Sequence, residues 1–187
     1  MSANLPPTGI DAARWQRESK PHRRRPRVLV AGVGSYHGDD QVGWLASQAL
    51  ADCIDSDAAS IRTASSPLEL ADWLAEEFDR LIVIDACRGL GAPGKLRRIA
   101  WPSDALLQTH WLGSHDLPLP AVLELSAVLN RLPPDVVIWA VEAARKQPCE
   151  GLSPEVSASL PLLIQQVAAD VLSGWSHDPA TTSQPPG

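Results

Sequence analysis

The chain has 187 residues, of which 44% are hydrophobic and 20% charged, and carries a formal net charge of −6. That length suits one globular domain with flexible ends. No apolar run approaches the roughly 20 residues of a membrane span, and the acidic balance argues against nucleic acid as the main partner. Cys53, Cys87 and Cys149 are odd in number and far apart. They fit neither a disulfide framework nor a CxxC metal site, which suits a reducing cytoplasm.

Residues 1–25 are rich in Pro, Arg and polar types without periodicity and read as a disordered basic arm. His22-Arg23-Arg24-Arg25-Pro26-Arg27 precedes only about six apolar residues, too few for a signal peptide. Val28 to Val33 then reads as a buried strand. It enters a turn with Gly32, Gly34 and Gly38 and delivers Asp39-Asp40 to a helix marked by Val42, Leu45, Ala46, Ala49 and Leu50. A glycine-rich turn at this place usually cradles phosphate on backbone N–H groups. Here the spacing Gly32-x-Gly34-x-x-x-Gly38 misses the dinucleotide fingerprint by one residue, and the two carboxylates would repel a pyrophosphate. The turn is built to face something positive, and a metal ion fits.

Ala59 to Thr63 is a weak second strand, and Ser66-Pro67 starts a second helix with Leu70, Trp73, Leu74 and Phe78 on one stripe. Leu81-Ile82-Val83-Ile84 runs into Asp85 as a third strand covered on both faces. Gly89 to Gly94 is a loop, Lys95 to Trp101 an edge strand, and 111–115 irregular. A helix follows from Asp116, with Leu119, Val122, Leu125, Leu129 and Leu132 on one side, until Pro133-Pro134. Val136 to Val141 is a last buried strand ending at Glu142. Ser153-Pro154-Glu155 opens a helix to about Leu172, and 174–187 reads as a loose tail.

This alternation predicts a three-layer α/β/α domain over residues 26–173, with a twisted, mainly parallel five-stranded sheet and one antiparallel strand. Ligands of such sheets bind beyond the C-terminal strand ends, where the helix direction switches. Carboxylates ending the first and third strands meet there if those strands are neighbours.

Asp39 and Asp40 read as metal ligands, a general base or helix caps, with Asp40 favoured as the ligand and Asp39 as the helix cap. Asp85, ending a buried strand, needs a cleft or a partner. His115, in Gly113-Ser114-His115-Asp116, reads as a solvated loop residue or as the nitrogen of an O, O, N set that suits a first-row divalent ion. His37 reads as a solvated turn residue and Cys87 as a packed thiol. Glu142 is a weaker candidate for the same crevice. Ser35 and Ser114 lie in no Gly-x-Ser-x-Gly elbow.

These residues in this order resemble the hydrogenase maturation endopeptidases, which trim the C-terminal extension of the nickel-iron hydrogenase large subunit. The family's Gly-x-Gly-Asn, short turn, acid pair and Gly-x-Gly are matched by Gly32 to Gly43. Its Val-Asp-Ala is matched by Ile84-Asp85-Ala86, its Ser-x-His by Gly113 to His115, and its Leu-Ser-Pro-x-Val by Leu152 to Val156. The likeness spans roughly residues 27–173. Ser35 stands for the family asparagine, Gln41 for a glycine, and Thr63 to Pro67 for a glycine-rich segment.

The resemblance implies a phosphorylase/hydrolase-like fold with the first and third strands side by side. It also implies an aspartate- and metal-dependent endopeptidase whose Asp40, Asp85 and His115 contact nickel. That nickel is supplied by the substrate, the large-subunit precursor. No nucleic acid or membrane partner is expected. The alternatives are a non-catalytic chaperone docking on the same precursor, and a small-molecule hydrolase with its own metal.

Overall fold

The structure is a computed structural model that describes residues 26–112, 117–144 and 151–173. The expected arm over 1–25, the expected tail over 174–187 and Cys149 lie outside the described residues. Strand β1 (Val28–Val33) leads through a 3-10 turn (Gly38–Gln41) into helix α1 (Val42–Ala51), then β2 (Ser60–Ala64), α2 (Leu68–Trp73) and β3 (Arg80–Arg88). Next come β4 (Leu96–Ala100), α3 (Asp104–Leu107), β5 (His110–Trp111), α4 (Leu119–Val128), β6 (Asp135–Glu142) and α5 (Pro154–Leu172).

The sheet runs in the order β2-β1-β3-β6-β4, with β5 attached to β3. β1, β2, β3 and β6 are mutually parallel, whereas β4 is antiparallel to β6 and β5 to β3. The expected five strands are therefore present with one antiparallel member, and β5 adds a short sixth. Alternate residues feed two cores, as the pleat requires. Leu29, Ala31, Leu81 and Val83 pack with Leu70 of α2, with Leu74 just past its end, and with Leu119, Val122 and Leu123 of α4. Val30, Ile82 and Ile84 pack with Val42, Ala46 and Leu50 of α1 and Leu163 and Val167 of α5. Such fully buried side chains contribute about 1.5–3 kcal/mol each. The result is the three-layer domain.

Several boundaries differ from the sequence reading. β3 does not end at Asp85 but continues to Arg88, because β6 stays beside it through the Cys87–Glu142 pair and β5 joins at Cys87–Trp111. α2 ends at Trp73, so Phe78 packs from a loop. α4 starts at Leu119 and stops at Val128, leaving Leu129 and Leu132 beyond it. α5 begins as expected, with Ser153 Oγ accepting from the Val156 N–H at 3.4 Å.

β1 and β3 are hydrogen-bonded neighbours, in register from Val28–Arg80 to Gly32–Ile84. The chain leaves β1 over one face through α1 and returns to β3 over the other through α2. The topological switch therefore lies between β1 and β3, at the C-terminal ends of both.

Candidate active site

The turn after β1 is built by close approach. A Cβ on Gly34 would overlap the Asp40 carbonyl oxygen, and one on Gly43 would overlap the Val33 carbonyl and come within 2.7 Å of the Ile84 carbonyl. Glycine at both positions lets the chain fold back at Asp40 and lets α1 lie directly on β1 and β3. The Ser35 N–H donates to the Asp40 carbonyl at 3.3 Å, and the Asp40 N–H to the His37 carbonyl at 3.1 Å. Gly34 N–H and the Trp44 indole N–H both donate to the Ala64 carbonyl, at 3.1 and 2.7 Å, which ties the turn to the end of β2. Neither aspartate begins α1, because both belong to the 3-10 turn and Gln41 is the residue that precedes the helix.

That turn buries Asp40, whose Oδ1 has no hydrogen-bond partner among the described residues. Asp85 is the first residue of β3 past its last pairing with β1. It is fully buried, and neither of its carboxyl oxygens has a partner among the described residues. Burial pushes the Asp85 carboxyl well above the ordinary aspartate range, and the Asp40 charge pushes it further. The adjacent Ala86 N–H opposes that shift without completing a hydrogen bond. The Asp40 charge thus reaches Asp85, and β1 and β3 are neighbours, as the sequence expectation of a shared crevice required.

His115 lies outside the described residues, as do Ser114 and Asp116. Among the described residues no three His, Cys, Asp or Glu side chains cluster as a metal site would require. The other candidates have structural occupations. Glu142 is buried and accepts from the Gly89 and Leu90 N–H groups at 3.3 and 2.5 Å, so it holds the loop after β3. Cys87 is buried, and that burial, with the Glu142 and Asp85 charges, pushes its thiol up to about 12. His37 is exposed, its Nδ1 lying 3.3 Å from Ser35 Oγ. The Gln41 amide nitrogen is buried without a partner among the described residues.

One residue was misread from sequence. Asp39 is no cap of the helix that follows it. Its Oδ2 accepts from the Ala144 N–H at 2.7 Å and its Oδ1 from the Ser153 N–H at 2.6 Å. Those partners lie 105 and 114 residues away, so no local spacing could have signalled them.

Two features define the chemistry open to this pair. Both carboxylates are buried, and among the described residues no cation or N–H group bonds three of their oxygens. Buried acceptors left in that state fit a cation or a proton brought from outside.

Comparison with known proteins gives the family and the fold. Residues 64–170 match the family model described as hydrogenase maturation protease. That span contains Asp85 and His115, whereas Asp39 and Asp40 precede it. The hydrogenase maturating endopeptidase HybD from E. coli superposes with a TM-score of 0.66 at 25% identity, over 78% of this chain and 91% of that one. A second solved structure, an endopeptidase from Escherichia coli, gives 0.65 at 25% identity, over 76% and 90%. The [NiFe] hydrogenase maturation protease HycI from Thermococcus kodakarensis gives 0.60 at 21% identity, over 79% and 92%, which speaks to the fold. No curated protein sequence matches the chain.

Proposed function

The chain belongs to the hydrogenase maturation protease family, and we propose that it cuts the C-terminal extension from the nickel-loaded precursor of a nickel-iron hydrogenase large subunit. The observation that carries this reading is the pair Asp40 and Asp85, both buried, with three oxygens that have no partner among the described residues. A nickel ion carried in by the precursor satisfies those oxygens and offsets the like-charge repulsion between them.

His115 completes the ligand set in this reading. Its place in the set is what the likeness of Gly113 to His115 to the family motif implies. Two carboxylate oxygens and one imidazole suit a first-row divalent ion and leave positions for substrate.

The reaction is hydrolysis of one peptide bond. Water adds to the scissile carbonyl carbon, the C–N bond breaks, and the departing amine takes a proton. A carboxylate of the Asp40–Asp85 pair receives the proton of the attacking water and returns it to the amine. The precursor's nickel polarises the carbonyl or the water. The metal arrives as part of the substrate, which makes the peptidase selective for precursor that has already been loaded. Among the described residues no helix is long and apolar enough to cross a membrane. With Cys53 and Cys87 as free thiols, this suits cytoplasmic maturation.

Purified chain mixed with nickel-loaded precursor tests the assignment by intact mass. A loss equal to the C-terminal extension, abolished in Asp40→Asn and in His115→Ala, supports it. Binding with no mass change would show a docking chaperone instead, the reading that Ser35 and Gln41, at family Asn and Gly positions, leave open. Stoichiometric metal in the purified chain, with no action on precursor, would favour a small-molecule hydrolase.

A further inference from the structure

The two carboxylates of the acid pair are adjacent in sequence yet opposite in circumstance. Asp40 is buried with one oxygen that has no partner among the described residues, whereas Asp39 has both oxygens engaged by backbone N–H groups at 2.6 and 2.7 Å. These are short, charge-assisted bonds of the stronger class. They come from the residues that follow β6 and precede α5, so the chain leaves after Ala144 and is back at the same carboxylate by Ser153. Ser153 is also the N-cap of α5, a helix of 19 residues. The positive end of that helix dipole adds to the attraction for an anion at Asp39.

We propose that Asp39 is a positioning residue for the peptidase reaction: it clamps the acid turn to the β6–α5 connection and thereby holds Asp40 turned in toward Asp85. This rests on the peptidase reading above. The backbone bonds of Asp40 within its own turn, at 3.1 and 3.3 Å, are longer than either bond that Asp39 accepts. Asparagine cannot replace Asp39. Its one amide oxygen can serve one of the two N–H donors, and its NH2 group then confronts the other. The steric fit survives while the clamp is lost.

A purely structural residue supplies the control. Asp170 accepts from Trp139 Nε1 and Arg98 Nε at 2.9 and 2.8 Å. It sits 16 residues along α5 from Pro154, roughly 24 Å from the helix start. Asp170→Asn is expected to lower the melting temperature without changing kcat per folded molecule.

The experiment compares wild type, Asp39→Asn and Asp170→Asn on the nickel-loaded precursor, with the folded fraction of each measured by circular dichroism. Asp39→Asn should lower kcat by about 10- to 100-fold, the range for residues that orient a ligand, with KM within about threefold of wild type. Activity per folded molecule within about twofold of wild type would overturn the proposal. If wild type binds the precursor without cutting it, the peptidase reading has failed by itself. The clamp is then read in binding, which Asp39→Asn should weaken about tenfold, and equal binding overturns it. Should Asp39→Asn not fold, Ser153→Pro removes one donor at a residue whose φ of −60° suits proline. It should reproduce the loss of kcat or of binding, and undiminished function in it would overturn the clamp. Wild type that neither cuts nor binds the precursor overturns both readings.

Discussion

Asp85 is buried in β3 beside the β1–β3 switch point, and that burial, with the Asp40 charge added to it, makes Asp85 hold its proton more tightly than an ordinary aspartate. No arginine or lysine among the described residues relieves either one by an ion pair. A fold that only needed stability would have placed an apolar residue at position 85. The strain is local to the two carboxylates, and several measurable consequences follow from it.

Asp85→Asn should inactivate the chain and stabilise it. The folded-state pKa of Asp85 is raised, so its contribution to stability is complete below the unfolded aspartate range, near 3.9. That contribution is lost as pH rises through the raised folded value. Asparagine carries no such penalty. At pH 8 the variant should be more stable by about 1–3 kcal/mol, a rise of roughly 2–4 °C for each kcal/mol. Near pH 4 the two melting temperatures should converge. A variant less stable than wild type at pH 8 would mean that the Asp85 carboxylate has a partner.

Gly43→Ala should fail to give soluble, folded protein, or lose at least about 3 kcal/mol. The added methyl would meet the Val33 and Ile84 carbonyls, which belong to two central strands and cannot withdraw. Thermal melts and soluble yield check this.

Glu142→Gln should weaken the loop after β3 while sparing catalysis. One of the two bonds to the Gly89 and Leu90 N–H groups is lost, at a cost of about 1–2 kcal/mol. Cleavage per folded molecule should stay within twofold of wild type. A larger fall would place Glu142 in the site after all.

Iodoacetamide at pH 8 should leave peptide cleavage intact. Cys87 is buried and its thiol, pushed up to about 12, supplies almost no thiolate. Peptide mapping should find Cys53, which is exposed, alkylated and Cys87 unmodified.

The order of strands and helices was legible because buried strands such as Leu81–Ile84 and caps such as Ser153-Pro154 carry their signal locally. Asp40 and Asp85 could be associated from sequence because one follows β1 and the other ends the apolar run of β3, two strands that a parallel sheet brings together. Local reasoning stopped where distant backbone takes over. Asp85 looked like a strand end since the continuation, Ala86 to Arg88, is held by β5 and β6 rather than by its own residues. Two-residue β5 is too short for any periodicity. Asp39 looked like a cap because an acid before a helix usually is one, and its true partners at Ala144 and Ser153 belong to tertiary structure. Glu142 was ambiguous for the same reason, until the Gly89 and Leu90 donors came into view.

The central claim is that the two buried carboxylates act on a metal that the substrate brings. The most direct measurement is intact mass of the large-subunit precursor after incubation with the purified chain, run in parallel on nickel-loaded and nickel-free precursor. Loss of the C-terminal extension from the loaded form alone, absent with Asp40→Asn, is the predicted result. Equal cleavage of the nickel-free form would contradict it.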